Sequence, residues 1–353
     1  MTSHQLSDSD LWDAVHQGLL DVHVSSTRCG ALGARTTYRV GGTAEIVVEV
    51  QSVSDLIAVS RVVAHHGVSQ IVIVGNGSNM LVAEHGYNGI ALVIGATGSD
   101  EIEVLSDGSV RASGHLSLPQ LARQSVAAHR CGLEWAVGVP GTVGGAVRMN
   151  AGGHGSDMAS SLVSVQLFDV VSGTGAEVAV SDLGLRFRGS ALGDTHVVVS
   201  GLFATSDPTS HHGHSCADEL TEIVRWRREN QPGGQNAGSV FVNPGTADRS
   251  AGALIDAAGL RGLRHGSAVV TEKHANFIQS DPGGSADDVV TLMCEVQNRV
   301  KQVHGIVMRS EIRLVGFDPA IAERFLDADR HDPTLVHAAS KLDAIVRNGN
   351  LSL

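Results

Sequence analysis

One run of eighteen residues constrains this chain more than any other: Gly138-Val-Pro-Gly-Thr-Val-Gly-Gly-Ala-Val-Arg-Met-Asn-Ala-Gly-Gly-His-Gly155. Seven of the eighteen are glycine, and Pro140 fixes φ beside the second of them. Glycine tolerates positive φ and lets another group approach the main chain to van der Waals distance. Flexible linkers are also glycine-rich, but they are padded with serine and charge, whereas Val, Met and Ala fill the gaps here. The run therefore reads as ordered, buried backbone with something flat or anionic lying against it. A set of tight turns in an all-β domain would satisfy the same pattern, and the run alone does not separate the two.

The rest of the chain narrows the choice. Its 353 residues correspond to roughly two or three domains. Aromatic residues make up only 3% and the net charge is −12, which together argue against a base-stacking nucleic-acid surface. An anionic ligand would need a local basic pocket, because the global field repels it. Cys29, Cys131, Cys216 and Cys294 are far apart and form no CxxC pair. They read as reduced thiols of a cytoplasmic protein, with no disulfide framework and no zinc site. The first ten residues lack a basic and apolar leader, and no run approaches the length of a membrane span, so a soluble protein with no membrane partner is expected.

Along the chain, residues 1–35 read as a lead-in with one amphipathic helix near Asp10–Leu20. Strands are expected at Ala44–Val50, Gln70–Val74, Ile90–Ile94, Ile102–Leu105 and Val110–Ala112. Ser54 is the expected N-cap of a helix running to His65, stopped by Gly67, and a second helix is expected over Leu118–His129. Further strands follow at Leu162–Val171, Glu177–Val180 and His196–Phe203. The polar stretch Ser206–Cys216 is the expected domain boundary. Beyond it come helices near Asp218–Glu229, Ala251–Ala258 and Ala286–His304, and strands near Ala268–Val270, Ala275–Gln279 and Glu311–Val315. Residues 318–353 read as a polar extension with two short helices.

Several constellations carry chemistry. Gly75-Asn-Gly-Ser-Asn79, a tight loop directly after a strand, resembles half a phosphate cradle built from backbone N–H groups. Met80 breaks the dinucleotide pattern G-x-G-x-x-G, and no P-loop is present. Tyr38-Arg-Val-Gly-Gly42 adds another glycine turn before a strand. His211, His212, His214 and Cys216 lack tetrahedral-site spacing and read as a solvated loop, so no metal is expected. Arg225, Arg227 and Arg228 form either a solvated helix face or a phosphate patch. Ser239, within Gly238-Ser-Val-Phe-Val-Asn-Pro244, is outside any G-x-S-x-G elbow and is read as either a proton donor or a turn serine.

Taken together, these runs resemble the UDP-N-acetylenolpyruvoylglucosamine reductase family. The matching stretches are Thr37–Gly42, Val74–Asn79, Gly138–Ala146 with Met149–Gly152, Phe187-Arg188, Gly238–Phe241, Lys273–Phe277 and Glu311–Arg313. They occur in family order over about residues 36–316. The resemblance implies an α+β architecture. Residues 36–206 would form a two-subdomain FAD-binding module of the vanillyl-alcohol-oxidase (PCMH) type, and 216–316 a substrate-binding domain. Residues 1–35 would precede these units as a lead-in, and 317–353 would follow them as an extension. The chain resembles the shorter class of the family, which lacks a tyrosine-bearing loop.

The resemblance also implies roles. Arg188, Ser239 and Glu311 fall on the three catalytic positions. Tyr38, Arg39, Gly41, Gly42, Gly75, Asn76, Gly77, Ser78, Asn79, Gly138, Pro140, Gly141, Thr142, Gly144, Gly145, Ala146, Asn150 and Gly152 fall on positions around a non-covalent FAD. Arg228, Asn243, Lys273, His274 and Asn276 are the implied contacts to a UDP-sugar, with NADPH as co-substrate. A monomer is compatible with this. In the implied reaction, hydride reaches the terminal methylene carbon of an enolpyruvyl ether, and charge develops on its carboxylate. A guanidinium (Arg188) and a protonated carboxyl (Glu311) suit that charge, and Ser239 suits delivery of the remaining proton. Two departures stand out: Phe187 occupies a position that is usually tyrosine, and Val242 one that is often a cation. A related flavin oxidase, a non-catalytic UDP-sugar or flavin binder, and a ligand-free scaffold are the competing readings.

Overall fold

The computed structural model describes residues 8–95, 97–208, 215–244, 249–325, 332–349 and 351. The first lobe contains α1 (Asp8–Asp21), β1 (Ser26–Gly30), β2 (Ala44–Val50), α2 (Val53–His66), β3 (Ile71–Val74), β4 (Met80–Val82) and β5 (Tyr87–Ile94). Four of these strands form a mixed sheet in the order β1-β2-β5-β3, with β5 parallel to both of its neighbours. The β-branched run of β2 is buried on both faces, as a central strand requires. In α2, Leu56, Val59, Val62 and Val63 repeat at helical spacing and face the sheet. Burying each such side chain is worth roughly 1.5–3 kcal/mol. The helix is capped by Ser52 and not by Ser54. Ser52 is extended (φ −153°), so its Oγ can accept from the N–H of Asp55 at 3.1 Å.

The second lobe begins with β6 (Glu103–Val104), β7 (Val110–Ser113), α3 (Leu118–Ala127), α4 (Val143–Met149), the small hairpin β8 (Gly152–Gly153) and β9 (Ser156–Asp157), and α5 (Met158–Ser161). It continues with β10 (Leu162–Asp169), β11 (Thr174–Ala179) and β12 (His196–Phe203). Its sheet is antiparallel, in the order β11-β10-β12-β7-β6. The glycine run folds neither as a linker nor as a series of turns. Its middle is the seven-residue α4, capped by Thr142 and ended by Asn150 in the left-handed region (φ +40°). Gly144 lies close under the preceding chain, donating to Gly114 O at 2.8 Å where a side chain would crowd the contact.

Helix α6 (Cys216–Asn230) opens the part of the chain assigned from sequence to the C-terminal domain, yet its Ile223 is buried in the core of the second lobe. The third lobe contains α7 (Ala251–Ala257), β13 (Arg264–His265), β14 (Ala268–Val270), β15 (Ile278–Ser280), α8 (Ala286–His304), β16 (Arg313–Val315) and α9 (Pro319–Phe325). Its core gathers one side of α8 with Phe241, Leu254 and the fully buried Tyr38, whose hydroxyl donates to Ile278 O at 3.0 Å. Strand β16 leaves this lobe to pair in parallel with β4, matching Arg313 to Met80. The extension is more ordered than its polarity implied. Helix α10 (Pro333–Asn348) runs sixteen residues and buries Leu342 and Val346 in the second lobe.

One expectation changes. Cys131 and Cys216 are disulfide-bonded with their Cα atoms 5.9 Å apart, so they are not reduced thiols, while Cys29 and Cys294 are free. Their separation of 85 residues hid this pairing, because proximity across such a loop is decided by α6 returning to the second lobe. The bridge closes a long loop, so Cys131→Ser should lower stability by about 2–4 kcal/mol. Chemical denaturation with and without reductant tests this, and an unchanged wild-type midpoint under reductant would contradict it. Of the histidine cluster, His211, His212 and His214 lie outside the described residues.

Candidate active site

A cleft of about 430 Å³ opens where the three lobes meet. One wall is the loop 75–79 that follows β3. The facing wall is formed by Gly138–Thr142 with Gly145, Ala146 and Arg148 of α4. Arg188, the segment from Gln231 to Ser239, Phe277, Glu311 and Arg313 complete it. The two glycine-rich walls approach each other so closely that a Cβ on Gly75 would lie 2.6 Å from Thr142 Oγ1. Gly77 is held at φ +59°, with Arg35 O only 2.4 Å from where its Cβ would be. Both positions therefore demand glycine, one for space and one for space and backbone strain.

These walls present unspent donors. Among the described residues, the N–H groups of Asn76, Gly77, Ser78, Gly141 and Thr142 donate to no protein acceptor. The carbonyls beside them are engaged: Gly77 O by Thr37 N, Asn79 O by Arg313 N and Gly141 O by Leu118 N. A rigid loop whose carbonyls are turned away and whose amides are free is a cradle for an anion such as a diphosphate. Arg227 adds charge. Its Nε donates to Gln231 Oε1 at 2.8 Å, no carboxylate among the described residues pairs with it, and burial lowers its pKa.

The chemistry-bearing side chains lie on different elements. Arg188 sits at φ +57°, in the left-handed region that a non-glycine residue occupies at a cost of order 1–3 kcal/mol. Its guanidinium donates to Gly152 O at 3.2 Å and lies 5.3 Å from the centre of the largely exposed Phe187 ring. Arg188 Nε is 2.7 Å from Glu311 Oε1, a close charge contact that is not aligned as a hydrogen bond. Glu311 is placed from both sides, its N–H donating to Val240 O at 2.8 Å and its carbonyl accepting from Asn79 Nδ2 at 2.9 Å. Burial raises the Glu311 pKa; Arg188 and Arg309 oppose this without overcoming it. Ser239 sits between Gly238, at φ +77° with its N–H on Asn236 Oδ1, and Val240, whose N–H bonds Asn276 O.

Of the residues singled out from sequence, the cleft brings together Gly75–Asn79, Gly138, Pro140, Gly141, Thr142, Gly145, Ala146, Gly152, Arg188, Ser239 and Glu311. Tyr38, Arg39, Gly41, Gly42, Gly144 and Asn150 are not in its lining. Asn150 is buried, and its amide is taken up by Ala159 N, Asp157 and Arg186 O. Arg228, Asn243, Lys273, His274 and Asn276 are also outside the lining. Asn276 instead brackets Phe241, accepting from its N–H and donating to its carbonyl, while Asn243 accepts from Ala251 N. The lining also includes Arg227, which belongs to the possible phosphate patch read from sequence, and residues not named there as site residues, among them Arg148, Gln231, Phe277 and Arg313. Two had a signal: Arg313 follows Glu311 at strand spacing, and Gln231 follows Arg227 by four.

Comparison with known proteins gives this geometry its context. Residues 44–181 match the FAD binding domain family, and residues 230–315 match the family described as UDP-N-acetylenolpyruvoylglucosamine reductase, C-terminal domain. The UDP-N-acetylenolpyruvoylglucosamine reductase of Gloeobacter violaceus is 35% identical over 287 residues, spanning 81% of this chain and 95% of that protein. This chain belongs to the UDP-N-acetylenolpyruvoylglucosamine reductase family. The reductase of Heliobacterium modesticaldum is 37% identical, over 81% of this chain and 89% of that one. The crystal structure of the Thermus caldophilus reductase (MurB) superposes with a TM-score of 0.68 at 28% identity, covering 83% of this chain and 98% of that one. As a member of the UDP-N-acetylenolpyruvoylglucosamine reductases, the protein is an oxidoreductase of peptidoglycan synthesis with an FAD-binding domain. The free amides of loops 75–79 and 141–142 and the close glycine walls suit the diphosphate and the flat ring of that cofactor. Among the described residues, no helix is long and apolar enough to cross a membrane.

Proposed function

We propose that the protein uses NADPH to reduce the enolpyruvyl ether of UDP-N-acetylglucosamine to UDP-N-acetylmuramate, with Arg188, Glu311 and Ser239 acting on the substrate. The observation that carries this reading is that these three residues, from three distant parts of the chain, line one cleft with the two glycine walls. FAD, when bound, supplies the hydride. The protein's own groups do the rest. Arg188, with its Nε buried beside Glu311, offers its guanidinium to the substrate carboxylate as charge develops there. Burial favours the protonated form of Glu311, the form that donates a hydrogen bond to the same group where a carboxylate would repel it. Ser239 gives the final proton to carbon. A hydroxyl is a weak acid, so its efficiency comes from being held in place, by hydrogen bonds on both sides of it, next to a strongly basic enolate.

The substrate's diphosphate needs cations in an acidic protein. Arg227 lines the cleft, and Lys273 Nζ donates at 2.6 Å to the Arg228 carbonyl, steadying the end of α6 that carries Arg227. Lys273→Ala is expected to raise the substrate KM by about tenfold with kcat nearly retained, since it loosens the end of α6 that presents Arg227 and so weakens binding shared by ground and transition states. A fall in kcat at unchanged KM in steady-state kinetics would move Lys273 into the chemistry.

An anaerobic absorption titration tests the whole reading. Flavin bands should bleach with NADPH and return with the enolpyruvyl substrate. Recovery only with oxygen would point to an oxidase, and a protein that takes up no FAD would end the proposal.

A further inference from the structure

Arg148 on α4 and Arg313 on β16 both line the cleft, and both are tied to one carboxylate. Asp194 Oδ1 pairs with the guanidinium of Arg148 and lies 2.9 Å from Nη2 of Arg313. Two guanidiniums sharing one carboxylate leave a net positive charge at the cleft wall. The turn that carries Asp194 is itself held from behind. Gly193 O accepts from Arg148 Nη1, and the Gly193 N–H donates to Nδ1 of His196 at 3.0 Å. With Nδ1 accepting, neutral His196 carries its proton on Nε2. That nitrogen faces Asp343 Oδ1 at 3.4 Å, on the last helix of the chain.

His196 is 5% exposed, so its ring has little freedom to reorient. Asp343 follows Leu342, and Val346 lies one turn on; both are fully buried in the second lobe, which sets the position of Asp343. Two further ties seat the same tail: Lys341 Nζ on Asp182 at 2.7 Å and Leu351 N on Gly175 O at 3.0 Å. The groups facing His196 are Asp169, Asp343, Arg148 and Arg347, so acids and bases from three elements converge on it. Helix α10 lies past residue 315, where the match to the family's C-terminal domain ends.

We propose that α10 is a positioning element for the cleft: Asp343, through His196 and the Gly193-Asp194 turn, holds Arg148 and Arg313 where they meet an anionic group of a bound nucleotide. Asp343 is a positioning residue and touches no ligand. The proposal rests on the cleft being the nucleotide site. The anion belongs either to the cofactor or to the UDP-sugar, which share diphosphate chemistry.

The test uses the full-length holoenzyme and compares Asp343→Asn with Lys341→Ala, which loosens the same helix without touching His196. Two quantities are read: the FAD dissociation constant and the KM for the enolpyruvyl substrate. Asp343→Asn is expected to raise at least one of them three- to tenfold, with kcat within twofold and the thermal midpoint close to wild type. A rise in the FAD constant alone assigns the anion to the cofactor, and a rise in KM alone assigns it to the substrate. In a His196→Gln background, Asp343→Asn should add nothing, because the link is already cut. Unchanged FAD affinity and KM in Asp343→Asn, or equal changes in Lys341→Ala, would overturn the proposal. A wild-type protein that binds no FAD would instead fail the underlying reading, so the two failures are distinguishable.

Discussion

Ser239→Ala is expected to lower turnover by about 10²–10⁴, the range for losing a placed proton donor. The loss should fall on one half of the reaction. Bleaching of the flavin by NADPH, which needs no proton from Ser239, should proceed at the wild-type rate in stopped flow. Its return on adding the enolpyruvyl substrate should be slowed by the full factor. The serine is half-buried and its neighbours are fixed by Asn236 and Asn276, so removing one oxygen should leave the loop in place. Equal slowing of both halves would show that the substitution disturbs the cleft and that Ser239 is not the donor.

Glu311→Ala should cost about 10²–10³ in kcat, comparable to removing one donor from a preorganised anion site. Glu311→Gln keeps a donor of similar shape and should retain more activity, and it separates shape from titration. Burial raises the folded-state pKa of Glu311, and the reaction needs its protonated form. Wild-type kcat should therefore fall as pH rises through that raised value, and the glutamine variant should lose this limb. The same shift has a consequence for stability. A carboxyl that binds its proton more tightly when folded stabilises the native state fully below its unfolded pKa, and this contribution is lost as pH rises through the folded pKa. In Glu311→Gln that part of the pH dependence of stability should disappear. A wild-type profile without such a limb would mean that Glu311 works as an anion paired with Arg188.

Much of the local structure was legible because its causes are local. Strand β2 follows from an unbroken β-branched run, and α8 from a helical stripe closed by Gly305 in the left-handed region. The α2 cap was misplaced by two residues because Ser52 and Ser54 are equivalent as composition; only the extended backbone of Ser52 lets its oxygen reach back to Asp55. The short α4 was missed because its glycines lower helix propensity by about 1 kcal/mol each relative to alanine. Packing under Gly114 and the Thr142 cap override that preference.

For the site, the spacing of glycines along the chain was enough to single out the glycine loops, since tight turns are recorded in the sequence itself, whereas the roles of Arg188, Ser239 and Glu311 came only from the resemblance to the family. Their convergence on one cleft was a tertiary outcome. It depends on β16 crossing from the third lobe to pair with β4, which sets Glu311 beside the 75–79 loop. The Cys131–Cys216 bridge, the sharing of Asp194 by two arginines and the docking of α10 against His196 were also decided only in three dimensions. Each joins residues far apart in the chain, and no local periodicity or turn preference encodes such a meeting; it follows from how the buried faces of the lobes pack.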